Sequence, residues 1–127
     1  MRARTLAFIV AALALWLAAP ARAGEAAGFE LVMVERAGCA WCQRWNAEVA
    51  PLYGKTPEGA QAPLRRHDLA AGQPTAAKAP VRYTPTFLLL RDGREVGRIN
   101  GYLDDSTFWG LLGAMLKREA GASAAQG

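Results

Sequence analysis

Residues 38–45 read GCAWCQRW, and Cys39 and Cys42 are the only two cysteines among 127 residues. Two sulfurs at this spacing fit a haem attachment point, half of a metal site, a structural disulfide or a redox couple. Haem attachment needs a histidine directly after the second cysteine, and Gln43 stands there. A structural zinc needs four ligands, against two cysteines and the single histidine, His67, so no metal is expected. A disulfide across two intervening residues closes so small a loop that its chain-entropy stabilisation is slight. What the spacing does suit is a pair of thiols at the start of a helix. There the first sulfur meets unpaired N–H groups at the positive end of the helix dipole, which favours its thiolate. Cys39 is therefore expected to be a nucleophile, and Cys42, one turn into the helix, the thiol that resolves its adducts.

The amino terminus bears on the compartment in which such a pair would work. Arg2 and Arg4 precede an unbroken apolar run of 14 residues, Leu6 to Ala19, and Pro20 leads into a small-x-small pattern at Ala21-Arg22-Ala23. The run is short for a bilayer core of about 30 Å. Residues 1–23 are thus expected to be a cleavable export signal, the alternative being a retained membrane anchor, with the bacterial periplasm as destination, where disulfides persist. Removing Arg2, Arg4 and Arg22 leaves twelve basic against eleven acidic residues, so the apparent basicity belongs to the signal and gives no argument for nucleic acid. The remaining 104 residues suffice for one domain.

Outward from the cysteines the pattern is α/β. Phe29 to Glu35 is apolar on both faces, as a strand buried within a sheet is. In the helix that follows, Trp45, Val49 and Leu52 fall on one face, and Pro51 should kink or end it. Thr56-Pro57 reads as a cap and first helical position. Leu64 to Leu69 is a second strand, and Ala70 to Ala79 a loop with a short helix. Thr86 to Leu90 is a buried strand, Asp92-Gly93 a hairpin turn, and Glu95 to Ile99 the returning strand. The last helix starts at Asp104 or Ser106 and buries Phe108, Leu111, Leu112, Met115 and Leu116. Gly110 and Gly113 suggest close packing on the sheet, Lys117 and Arg118 should complement the end of the dipole, and Gly121 should stop it. Residues 24–120 then form one domain with a single mixed sheet and helices on both faces, and 121–127 a disordered tail.

The CAWC segment between strand and helix, followed by Val81-Arg82-Tyr83-Thr84-Pro85-Thr86-Phe87 and by Asp92-Gly93 and Val96-Gly97-Arg98 to Gly101, resembles the thioredoxin family. Read bare, Pro85 is a strand-start proline. The resemblance implies a cis Thr84–Pro85 peptide facing the cysteines, with the Thr84 backbone offered to a cysteine-bearing segment of a protein substrate. Trp41, between the two cysteines, either shields the site, offers a flat apolar contact to the substrate or serves packing alone. It also implies a core trimmed at the amino end, since only Gly24 to Gly38 precede Cys39. Where the family carries a buried acid that takes the proton of the resolving thiol, this chain has Met33; Glu35, two residues on and on the same face, is the candidate replacement. The stretches CAWCQRWNAEVAPLYGKTPEGAQAPLRRHDL and FWGLLGAML are similar to the periplasmic thioredoxins of bacterial sulfur oxidation (the Sox system). That likeness implies a sulfur-carrier protein as the disulfide partner.

Three functions fit these residues. One is a disulfide reductase re-reduced by a membrane thiol transporter. The second is a disulfide oxidant or isomerase, or a thioredoxin of cytochrome maturation. The third is a binding module whose disulfide never cycles. None requires a cofactor.

Overall fold

The computed structural model describes residues 28–127. The expected export signal and its cleavage point lie outside the described residues. Four strands, β1 (Phe29–Glu35), β2 (Leu64–Asp68), β3 (Thr86–Arg91) and β4 (Arg94–Asn100), form one sheet in the order β2-β1-β3-β4. β1 runs parallel to β2 and antiparallel to β3, and β3 pairs antiparallel with β4. Among the described residues the α-helices are α1 (Ala40–Glu48), α2 (Ala50–Tyr53), α3 (Pro57–Gln61) and α4 (Asp105–Ala125).

Sequence and position in the sheet agree. β1 is apolar at successive residues because strands flank it on both edges and both of its faces are covered. Leu31 and Met33 point into one core, Val32 and Val34 into the other. β2, at an edge, reads LRRHD, and charge on an edge strand discourages pairing with other chains. Its arginines reach back to the central strand, Arg65 to Glu30 at 2.8 Å and Arg66 to Glu35 at 2.9 Å. In the β3–β4 hairpin, Asp92 and Gly93 both have positive φ, 51° and 79°. This is the primed turn whose twist matches the strands and which an Asp-Gly pair favours.

Helices lie on the two faces of the sheet unequally. The α-helices gather over Leu31, Met33, Phe87 and Leu89, where Trp45, Tyr53 and Phe108 build an aromatic core. Trp45 and Phe87 ring centres are 5.2 Å apart, and those of Phe87 and Phe108 4.9 Å. The opposite face, Val32, Val34, Leu88 and Leu90, is covered by a single 3-10 turn (Leu69–Ala71) and the irregular segment that follows it. Side chains hold that segment in place. Gln73 pairs through its amide with both the N–H and the carbonyl of Val81. Glu95 accepts from Lys78 N at 2.7 Å, and Arg98, paired with Glu95, donates to the carbonyl of Ala79 at 2.9 Å. These bonds fix the approach to Thr84–Pro85, whose peptide is cis.

Four local expectations are corrected. Leu52 is 54% exposed and does not share the face of Trp45 and Val49. The helix breaks at Val49 before Pro51, the facing register is lost, and Tyr53 takes the inner position with its hydroxyl on the carbonyl of Ala62 at 2.6 Å. Leu111, expected in the buried stripe of the last helix, is also exposed, leaving Phe108, Leu112, Met115 and Leu116 to face the core. The close approach of helix to sheet occurs at Gly97 of β4 and not at Gly110 or Gly113. A Cβ on Gly97 would stand 2.6 Å from Met115 Sδ, whereas one on Gly110 would meet nothing within 4 Å. Finally, α4 passes Gly121 and continues to Ala125, so Lys117 and Arg118 lie inside it. Arg91 of β3 donates to the Glu119 carbonyl at 3.3 Å and to Ser123 Oγ at 2.7 Å. That anchorage offsets the cost of one helical glycine, about 1 kcal/mol.

Candidate active site

β1 delivers the chain to a turn at Ala37-Gly38, where Gly38 adopts φ 75°, a left-handed conformation that glycine enters without steric penalty. The chain then enters α1 with Cys39 as its N-cap. The cap is the sulfur itself: Cys39 Sγ accepts from Cys42 N at 3.1 Å. This is the position at the positive end of a helix that the sequence anticipates. The cysteines are joined in a disulfide with their Cα atoms 5.2 Å apart. They differ in access: Cys39 is half-buried, while Cys42 is only 3% exposed and packs into the aromatic core.

Two depressions of opposite chemistry involve the CAWC segment, one through Trp41 and one through both cysteines. One, of about 310 Å3, is lined by Trp41, Tyr83, Thr84, Gly101 and Tyr102. Trp41 and Tyr83 are 52% and 68% exposed there, a large apolar area to leave in water. Trp41 and Thr84, expected together from the sequence, do line one groove. Pro85 is buried, and its carbonyl accepts from the N–H of Gly101, which lines the groove, at 2.7 Å. A small polar network backs this groove. The Arg44 guanidinium lies over Trp41 and Tyr102, 5.6 and 5.9 Å from the ring centres, and pairs with Glu48 at 2.8 Å. The Tyr102 hydroxyl donates to Glu48 at 2.6 Å. That bond, with Arg44 second, holds the Glu48 carboxyl below the usual carboxylate range. Burial, and then the same bond, raise the Tyr102 phenol above its ordinary value.

The other depression, about 240 Å3, lies against both cysteines and is polar, with Glu35, Arg36, Asn46 and Asp68 on its walls. Glu35 thus shares a cavity with Cys42, paired with Arg66 at 2.9 Å. Met33 is fully buried, and its Sδ lies 3.5 Å from Arg66 Nη1. The register that sets Met33 opposite Arg66 and Glu35 opposite Asp68 brings these residues to the site. Sequence reasoning missed Asn46, Asp68 and Arg66. The Cys42–Asn46 interval of four was the available signal, since residues so spaced share a helix face. His67 points elsewhere, with Nε2 2.8 Å from the Gly72 carbonyl.

With this geometry, the comparisons with known proteins are consistent. A thioredoxin-like domain family model matches residues 18–116. The chain belongs to the thioredoxin-like family, and with its Cys39–Cys42 pair it is a thiol-disulfide oxidoreductase. It is similar to the crystal structure of the reduced form of the periplasmic thioredoxin SoxS from Paracoccus pantotrophus. The two share 38% identity and a TM-score of 0.68, over 72% of this chain and 98% of that one. Thioredoxin-2 of a malaria parasite shares the fold at 19% identity and TM-score 0.56, over 72% of this chain and 86% of that one. No curated protein sequence matches the chain.

Proposed function

We propose that this oxidoreductase works in the periplasm as a reductase of disulfides on a protein partner, and that the partner is a sulfur-carrier protein of sulfur oxidation. The observation that carries the reading is the unequal access of the two sulfurs beside an apolar groove. A segment bound in the groove of Trp41 and Thr84 is read as offering its disulfide to Cys39, which is half-buried, and not to Cys42, which is only 3% exposed. The likeness to a periplasmic thioredoxin across nearly all of that protein's length supports the compartment and the partner.

The chemistry follows in two exchanges. Cys39 thiolate attacks one partner sulfur, and the other leaves as thiolate. Cys42 then loses its proton to Glu35 and attacks Cys39 Sγ, which expels the second partner thiolate and closes the Cys39–Cys42 disulfide. Pro85 tethers the groove residue Gly101 through its carbonyl. In an oxidising compartment, the return of two electrons falls to a membrane thiol transporter.

The reduction potential of the pair tests the direction. Equilibration with dithiothreitol or glutathione should place it at or below about −250 mV, among electron donors. A value near about −120 mV, among strong oxidants, would overturn the reductase reading and with it the sulfur-carrier partner. Cys39→Ser should abolish exchange, which separates both redox readings from a binding module. Cys42→Ser expressed in the periplasm should retain the partner as a mixed disulfide that dithiothreitol releases.

A further inference from the structure

We propose that Thr86 is a positioning residue for substrate. Its hydroxyl fixes the Tyr83–Thr84 peptide so that the Thr84 N–H faces the groove and donates to a backbone carbonyl of the bound partner segment. This role rests on the reading of that groove as the binding site. Thr86 opens β3, whose next four residues, Phe87 to Leu90, are all apolar. It is fully buried, and burying a hydroxyl is unfavourable unless it is hydrogen-bonded. Its partner is the Tyr83 carbonyl, which accepts from Thr86 Oγ1 at 2.7 Å. Strands on both sides hold Thr86, with Val34 of β1 and Asn100 of β4 opposite it in register. Its branched side chain is stiff about χ1. The donor is therefore fixed before substrate arrives.

A peptide unit is planar, and in the trans form its C=O and N–H point to opposite sides. The Tyr83–Thr84 peptide is trans. With its carbonyl turned to a fully buried donor, its N–H turns away from the core. That N–H belongs to Thr84, which lines the groove, and it has no hydrogen-bond partner among the described residues. Groups on either side of it in the loop are engaged. Val81 pairs with the Gln73 amide through both its N–H and its carbonyl, and the Pro85 carbonyl accepts from Gly101 N. The Thr84 N–H is left to donate outward, and an extended segment laid beside it supplies the acceptor. Valine has the shape of threonine without the hydroxyl. In its place the Tyr83 carbonyl would lose this partner, turn to water and carry the Thr84 N–H inward.

The test mixes the pre-reduced full-length protein in single turnover with each of two disulfides. One is the symmetric disulfide of a short alanine peptide with a central cysteine; the other is hydroxyethyl disulfide, which has no backbone carbonyl. Thr86→Val should lower the second-order rate constant for the peptide about fivefold, what one net hydrogen bond supplies. The loss should come from a raised half-saturating concentration, with the limiting rate unchanged, and the constant for hydroxyethyl disulfide should stay parental. Thr86→Ser, which keeps the hydroxyl, should restore the peptide value. If the valine variant fails to fold, Thr86→Ala carries the same expectation. A parental peptide constant in Thr86→Val overturns the proposal, as does an equal loss on both disulfides, which a purely structural role would give. Amide hydrogen exchange reads the donor itself. In Cys42→Ser joined to the peptide as a mixed disulfide, the Thr84 N–H should exchange more slowly than in the free protein; an unchanged rate overturns the proposal. Joint replacement of Trp41 and Tyr83 by alanine separates the two readings. Weakened peptide binding there beside a parental Thr86→Val removes Thr86 and keeps the groove. Parental binding in both removes the groove and this role with it.

Discussion

The two sides of the disulfide differ in what they are made of and in where their residues come from. The groove side is aromatic and built by segments far apart in sequence: Trp41 from α1, Tyr83 and Thr84 from the loop before β3, Tyr102 from the turn after β4. The cavity side is polar and built from β1, the turn after it, α1 and the end of β2. The first offers exposed apolar area at Trp41 and Tyr83, the surface proposed to hold a protein segment. The second offers carboxylates, Glu35 and Asp68, beside both cysteines, the chemistry that the proposed proton transfer from Cys42 requires. The two cysteines line the polar cavity while Trp41, between them in sequence, lines the groove, so the proposed binding and proton-transfer roles fall to different residues and can be altered separately.

Substitutions can test that separation. The largest expected effect is Cys42→Ser, which should leave the first exchange intact and reduce turnover to background, with the mixed disulfide visible by mass spectrometry. Glu35→Gln comes next. The second exchange should slow by about a hundredfold at neutral pH, the lower end of general-base assistance, with KM unchanged, and should recover as pH rises. On the groove side, joint replacement of Trp41 and Tyr83 by alanine should raise KM about tenfold, which corresponds to about 1.4 kcal/mol. Resolution in a preformed mixed disulfide should keep its rate; slowing there would show that the two sides are coupled after all.

The smallest effect concerns the network behind the groove. Tyr102→Phe removes the hydroxyl that, ahead of Arg44, depresses the Glu48 carboxyl. A group with a depressed folded-state pKa adds stability above its unfolded pKa and loses it as pH falls through the folded value. The melting-temperature gap between the parent and Tyr102→Phe should therefore be full at neutral pH and close on acidification below the ordinary carboxylate range. KM should move less than with loss of Trp41.

What was legible in the sequence was local. A helix opening on Cys39, a cap at Thr56 followed by Pro57, and a tight turn at Asp92-Gly93 each depend on a few adjacent residues, and each is found as read. The strand assignments held for the same reason. What escaped depended on partners distant in the chain. The extent of α4 is set by Arg91, 28 and 32 residues before the groups it binds. The inward turn of Tyr53 in place of Leu52 depends on a break at Val49 that periodicity does not register. The cavity beside Cys42 required the β1–β2 register, which puts Arg66 and Asp68 opposite Met33 and Glu35. A single sequence gives the faces of those strands but not their alignment.

Cys39 has two duties in the fold. The atom expected to attack substrate is also the acceptor that closes the first turn of α1, through the N–H of Cys42. Any variant that deletes this side chain removes a catalyst and a helix cap together, and an N-cap is worth about 1 kcal/mol. Cys39→Ala would thus lose activity and soften the segment carrying Cys42 and Trp41, mixing a chemical defect with a mechanical one. Cys39→Ser keeps an oxygen able to hold the same amide and isolates the chemistry. The inactive mutant suited to binding studies is the serine form.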